Sequence, residues 1–193
     1  MSNLVLIVDH SYSVLNYIKP YTDVVNHFIQ KQRQLDSSTR VSLLFFGDTI
    51  KAEFVDRPIM NVAPIQPVLV RVGVLTALYD SLGIILRQIP ENPTTVIVIT
   101  DGDDNNSKNQ TAESVKVLIQ NYKDKGHHFV FLGATENSVI IGKEIGFNVC
   151  ILYNISEKSF EKVKETTEQI LRIKRDADFD LREMMAVFAD VKI

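Results

Sequence analysis

The chain has 193 residues, 45% hydrophobic and 23% charged, with 8 glycines and 6 prolines, enough for one domain with one sizeable core and too few for two full α/β units. Its formal charge of −3 excludes the global basic field that drives binding to nucleic acid or anionic membrane. The longest apolar runs, 4–8 and 96–99, fall far short of the roughly 20 residues that span a bilayer. No nucleic-acid or membrane partner is therefore expected. Residues 1–3 show no basic stretch, apolar core or small-residue cleavage signal, so no secretion leader is expected either. A single cysteine, Cys150, allows no internal disulfide and fits a reducing, cytoplasmic setting. It sits in the apolar run 149–152 and reads as a buried structural thiol.

In chain order, the run 4–8 reads as a first strand, followed by a loop and a helix opening near Pro20 that buries Tyr21, Val24 or Val25, Phe28 and Leu35. Residues 41–46 read as a second strand, and 50–55 follow it after the short turn Gly47-Asp48-Thr49 as an antiparallel edge strand. Residues 57–71, with three prolines, form an irregular connection. Residues 77–89 carry Leu78, Leu82, Ile85, Leu86 and Ile89 on one helical face and end at Pro90. Strands at 96–100, 129–132 and 148–153 alternate with helices at 111–124 and 137–145, the latter stopped by Gly146. A helix at 156–174 and a short Met-rich amphipathic segment close the chain. The face of that segment, with Met184, Met185 and Phe188, suits either packing on the domain or docking of a partner.

Strands apolar on both faces are covered on both faces. The expected fold is thus α/β: a doubly wound, Rossmann-like, mostly parallel six-stranded sheet with one antiparallel edge strand and helices on both faces. It forms one domain over 1–193, with its core in about 1–155 and a helical segment in about 156–193. In the strand order 3-2-1-4-5-6 the first and fourth strands are neighbours, and a ligand crevice opens at their carboxyl ends. Asp9 ends one of these strands and Asp101 follows the other. The fold thus brings together two carboxylates that are distant in sequence.

Around them stand Ser11 and Ser13, spaced by alternation from Asp9, and Thr76 at the opening of the second helical pattern. Hard oxygen donors of this kind suit Mg²⁺, Mn²⁺ or Ca²⁺. Hydroxyls are neutral and the carboxylates few, so a dication held here retains positive charge and an exchangeable position.

At these residues the chain resembles the von Willebrand factor A (vWA) family, whose metal-ion-dependent adhesion site (MIDAS) is D-x-S-x-S, then Thr, then Asp. Here the pattern is Asp9-x-Ser11-x-Ser13, Thr76 and Asp101. The segment Gly73-Val74-Leu75-Thr76-Ala77-Leu78-Tyr79-Asp80 looks like the family's G-G-T-x-L-Y-D-A, with Leu75 where the family has glycine, and Thr100-Asp101-Gly102-Asp103-Asp104-Asn105 resembles T-D-G-x-x-N. The resemblance covers about 1–155 and extends to intracellular bacterial and phage vWA proteins. It implies a non-enzymatic module in which Ser11, Ser13 and Thr76 bind the ion through hydroxyls, Asp9 and Asp101 bind it directly or through water, and a partner protein's Asp or Glu completes the shell.

Competing readings are weaker on the residues. Asp and Ser after a strand also serve as turn and capping residues, but that does not account for three matching segments in order. An EF-hand opening at Asp101 would need Gly and Glu where Asn106 and Ala112 stand. The alternative function is a Mg²⁺-dependent phosphatase similar to the haloacid-dehalogenase type, for which Asp9 is placed but Ser11 replaces the second acid. No P-loop or G-x-G-x-x-G cradle is present. Asp103 and Asp104 read as a solvated acidic rim, His10 as a rim residue, and His127 and His128 as structural.

Overall fold

The computed structural model describes residues 2–67, 73–101 and 103–152. The helix expected at 156–174 and the Met-rich segment around Met184, Met185 and Phe188 lie outside them. Six strands form one sheet: β1 (Asn3–Asp9), β2 (Arg40–Phe46), β3 (Ile50–Pro58), β4 (Thr94–Thr100), β5 (His128–Gly133) and β6 (Val149–Leu152). Their order is β3-β2-β1-β4-β5-β6, parallel throughout except for β3 against β2. This is the expected doubly wound sheet with its antiparallel edge.

Alternation along β1 divides the core. Leu4, Leu6 and Val8 face helix α1 (Ile18–Leu35) and pack with Val24, Phe28, Leu43 and Ile97. Val5 and Ile7 face the other way, with Val96, Val98, Phe129 and Phe131, toward α2 (Leu78–Leu86), α3 (Ala112–Lys123) and α4 (Glu136–Glu144). Every residue of β1 and β4 is buried, which is why both read as unbroken apolar runs.

Helix boundaries follow local chemistry. Thr111 and Thr135 cap α3 and α4, each exchanging hydrogen bonds with the serine three residues on. Gly146 follows α4 with φ +90°, a conformation that favours glycine. The first helix begins at Ile18, two residues before Pro20, because a 3₁₀ turn over Tyr12–Tyr17 leads into it. Pro20 still falls within the first turn, where backbone N–H groups lack helical partners. Helix α2 is shorter than the 77–89 pattern, since Gln88 N–H turns back to the Ile85 carbonyl and closes it.

The edge strand β3 is irregular. Its pairing with β2 shifts register twice, between Val41 and Leu43 and again between Leu43 and Leu44, and Asp56 has φ +51°. The Arg40 guanidinium binds the Asp56 carboxylate and carbonyl across this kink. Among the described residues no helix is long and apolar enough to cross a membrane.

Candidate metal centre

The parallel register of β1 and β4 pairs Val8 with Ile99, so Asp9 emerges beside Thr100. Asp9 is 1% exposed. Its Oδ1 accepts from the Ser11 N–H at 2.8 Å and its Oδ2 from the Thr100 hydroxyl at 2.5 Å. Ser11, also buried, lies 3.0 Å through its Oγ from the Ser13 Oγ, and the Ser13 hydroxyl donates to Asp101 Oδ1 at 3.0 Å. A continuous polar chain thus joins the ends of the two central strands, with Asp9 beneath it.

Thr76 comes from the loop before α2, and with Ser13 and Asp101 it lines an open cleft. Its N–H donates to Asn105 Oδ1 at 2.8 Å, and its carbonyl accepts from the N–H groups of Asn105 and Asn106 at 3.0 and 3.1 Å. None of these bonds uses the hydroxyl. All five residues singled out in the sequence therefore lie at the carboxyl edge of the sheet: Ser13, Thr76 and Asp101 line one cleft, and Asp9 and Ser11 adjoin it through the hydrogen-bonded chain.

The electrostatics match the donor set. Burial, the largest cause, pushes the Asp9 carboxyl up to about 6 against the bonds from Thr100 and Ser11, and Asp101 adds repulsion. Burial likewise raises Asp101 despite the Ser13 bond, with Asp103 adding repulsion. Among the described residues neither acid has an ion-pair partner. No three His, Cys, Asp or Glu side chains gather among them, so a cation here would rest on two carboxylates and three hydroxyls. That set fits a hard divalent ion.

Several residues that hold the site carried no role in the sequence reading. Asp48 accepts from the N–H groups of Val74 and Leu75, both at 2.8 Å. Gly73 pairs with Ser11 in an isolated parallel bridge, and a Cβ there would lie 2.6 Å from the Asp48 nitrogen, so the close approach requires glycine. Leu75 stands in ordinary backbone: Asp56 is the one non-glycine with positive φ among the described residues. The departure at Leu75 therefore imposes no strain. Asp80 ties down the next loop, accepting from the N–H groups of Lys108, Asn109 and Gln110. Asp104 is no mere solvated rim, since it accepts from the Tyr79 N–H and the Ser107 hydroxyl. Thr100, Asn105 and Asp80 stand inside the very segments that resemble the family's, and that was the only signal for them. His10 also departs from expectation. It is buried, its ring 5.1 Å from that of Phe45, because its place beside β2 turns it inward. His127 packs edge-on against Tyr122, and Cys150, expected to be buried, is half-buried with its thiol pushed up to about 12 by burial.

The architecture has solved counterparts. BatB, a conserved hypothetical protein from Bacteroides thetaiotaomicron, shares 13% identity over 89% of this chain and 99% of its own, with a TM-score of 0.60. The ArnB paralog VWA2 from Sulfolobus acidocaldarius aligns over 86% of this chain at 13% identity and a TM-score of 0.60. A von Willebrand factor type A protein from Catenulispora acidiphila aligns over 88% at 14% and 0.57. The fold is of the vWA type. The chain spans less than half of the last two proteins, 44% and 42% of their lengths, and at these identities the likeness to this vWA fold is one of architecture. No protein-family model and no curated relative matches the chain.

Proposed function

We propose that this vWA-type domain is a divalent-cation-dependent protein-binding module, the ion held by Asp9, Ser11, Ser13, Thr76 and Asp101 and completed by an Asp or Glu of a partner protein. The observation that carries the reading is the hydroxyl chain from Ser11 through Ser13 to Asp101, laid over a buried Asp9 whose charge no cationic side chain among the described residues offsets. Mg²⁺ or Mn²⁺ fits this donor set best, and a bound ion supplies an open, positively charged coordination position. A hydroxyl-rich shell holds an ion weakly by itself, which makes the partner's carboxylate part of the site. Ser11 occupies the place a haloacid-dehalogenase-like phosphatase gives to its general acid, and its hydroxyl is engaged with Ser13. The reading therefore assigns no reaction to the site.

Thermal unfolding with and without millimolar Mg²⁺ or Mn²⁺ tests it. An ion that binds only the folded state stabilises it by about 2.7 kcal/mol at a hundred times its dissociation constant. The shift is expected in the unaltered protein and absent from Asp9→Ala/Asp101→Ala. A folded double variant that keeps the full shift refutes the ligand assignment, and metal-dependent phosphomonoester turnover lost in Asp9→Asn revives the phosphatase.

A further inference from the structure

We infer that the partner's acidic residue arrives on a protein loop with a large apolar side chain beside it, seated against a collar formed by Tyr12, Val74 and Leu75. The inference rests on the cation-dependent reading above and adds the character of the partner to it. Among the described residues the two most exposed large apolar side chains are Val74 at 73% and Tyr12 at 67%. They are not scattered. Tyr12 follows Ser11 and Val74 follows Gly73, and Ser11 and Gly73 are bridged in parallel, so both side chains leave the same junction at the lip of the site. Leu15 and Leu75, 37% and 40% exposed, continue the two segments.

Nor is this exposure the accident of a slack loop. Both oxygens of Asp48 hold the Val74 and Leu75 N–H groups, and Gly73 is wedged against the Asp48 backbone. The fold fixes a short backbone stretch so that its apolar side chains point into water, next to residues that can hold a cation. A rigid, clustered apolar lip marks an interaction surface, and presetting it lowers the ordering cost of binding. The cleft beyond this lip differs, lined in part by Asp103 and Asn137. There the exposed Asp103 accepts from Asn137 Nδ2 at 2.5 Å, and a second partner acid on that side would meet like charge. The fitting occupant is a single carboxylate with an apolar neighbour, rather than an acidic run.

The test uses the full chain and a displayed library of disulfide-closed loops carrying one fixed aspartate with random flanks, selected in Mg²⁺. Enriched loops should carry Leu, Ile, Val, Met or an aromatic beside the aspartate and few further acids. A synthetic loop of the enriched sequence should bind V74S/L75S about tenfold more weakly, while V74I/L75M binds as the unaltered chain does and both keep the Mg²⁺ shift in thermal unfolding. Tyr12→Ser probes the collar from the other segment should V74S/L75S fail to fold. The proposal is overturned if enriched loops show no apolar preference, if no loop is enriched, or if V74S/L75S and Tyr12→Ser bind undiminished. It is overturned too if the patch proves to join two copies of this chain, seen as a dimer that V74S/L75S breaks. Absence of the Mg²⁺ shift in the unaltered chain instead removes the parent reading, so the two failures are distinct.

Discussion

Two pairs of carboxylates in this molecule live under opposite conditions. Asp36 receives the hydroxyls of Ser2 and Ser38 and the Ser38 N–H, and these hold it down at about 2. For Asp80, burial works against ionisation, but three backbone N–H groups and the Asn109 side chain outweigh it and keep it below the usual range. Asp9 and Asp101 sit deeper, receive fewer donors and are pushed upward, chiefly by burial. The chain evidently can satisfy an acid with its own backbone. At the cleft it does not, and the missing positive charge is what a divalent ion would provide.

The sharpest way to break this comparison is Asp9→Asn without added metal. A carboxyl raised above its unfolded value of 3.8 contributes stability that is complete below 3.8 and lost as pH rises through about 6. Removing the charge should therefore raise stability at neutral pH, by as much as about 3 kcal/mol, with the gain shrinking toward pH 4. The amide can still accept from the Ser11 N–H and donate to Thr100. Added Mg²⁺ should reverse the ranking, stabilising the unaltered protein alone. Chemical denaturation at several pH values, with and without the ion, measures both signs.

Asp80→Ala should act oppositely. It leaves three loop N–H groups without their acceptor, and a loss of about 1–2 kcal/mol is expected. Because the Asp80 carboxyl lies below its ordinary value, its contribution is present above that value and fades as pH falls through the folded one. The penalty measured by thermal unfolding should therefore narrow in acid.

Thr100→Val is the finest probe. Loss of this hydroxyl lets Asp9 rise further, so protons compete better with metal and the pH at which half the Mg²⁺ stabilisation remains should move up by roughly one unit. An unmoved midpoint would show that Asp9 does not govern ion binding.

The sheet was legible because β1 and β4 are buried on both faces and appear as apolar runs, and strand order then places Asp9 next to Thr100 and Asp101. The scaffold was less legible. Asp48 reaches Val74 and Leu75 across more than twenty residues, and Asp80 holds a loop nearly thirty away. Acids with such distant partners look like any solvated acid in a single sequence. His10 misled for a similar reason: its neighbours in the motif suggest a rim, but Phe45 on the adjacent strand fixes it inside.

The kink at Asp56 has a consequence for the molecule in a crowded solution. A nine-residue strand at the end of a sheet presents a row of backbone donors and acceptors on which another extended chain could grow. Two shifts of register and one left-handed residue put that row out of phase, and Lys51, Glu53, Asp56 and Arg57 add charge along it. A fibril seeded on β3 would have to pair with a ladder whose rungs do not line up, so this edge ends the sheet instead of templating a longer one.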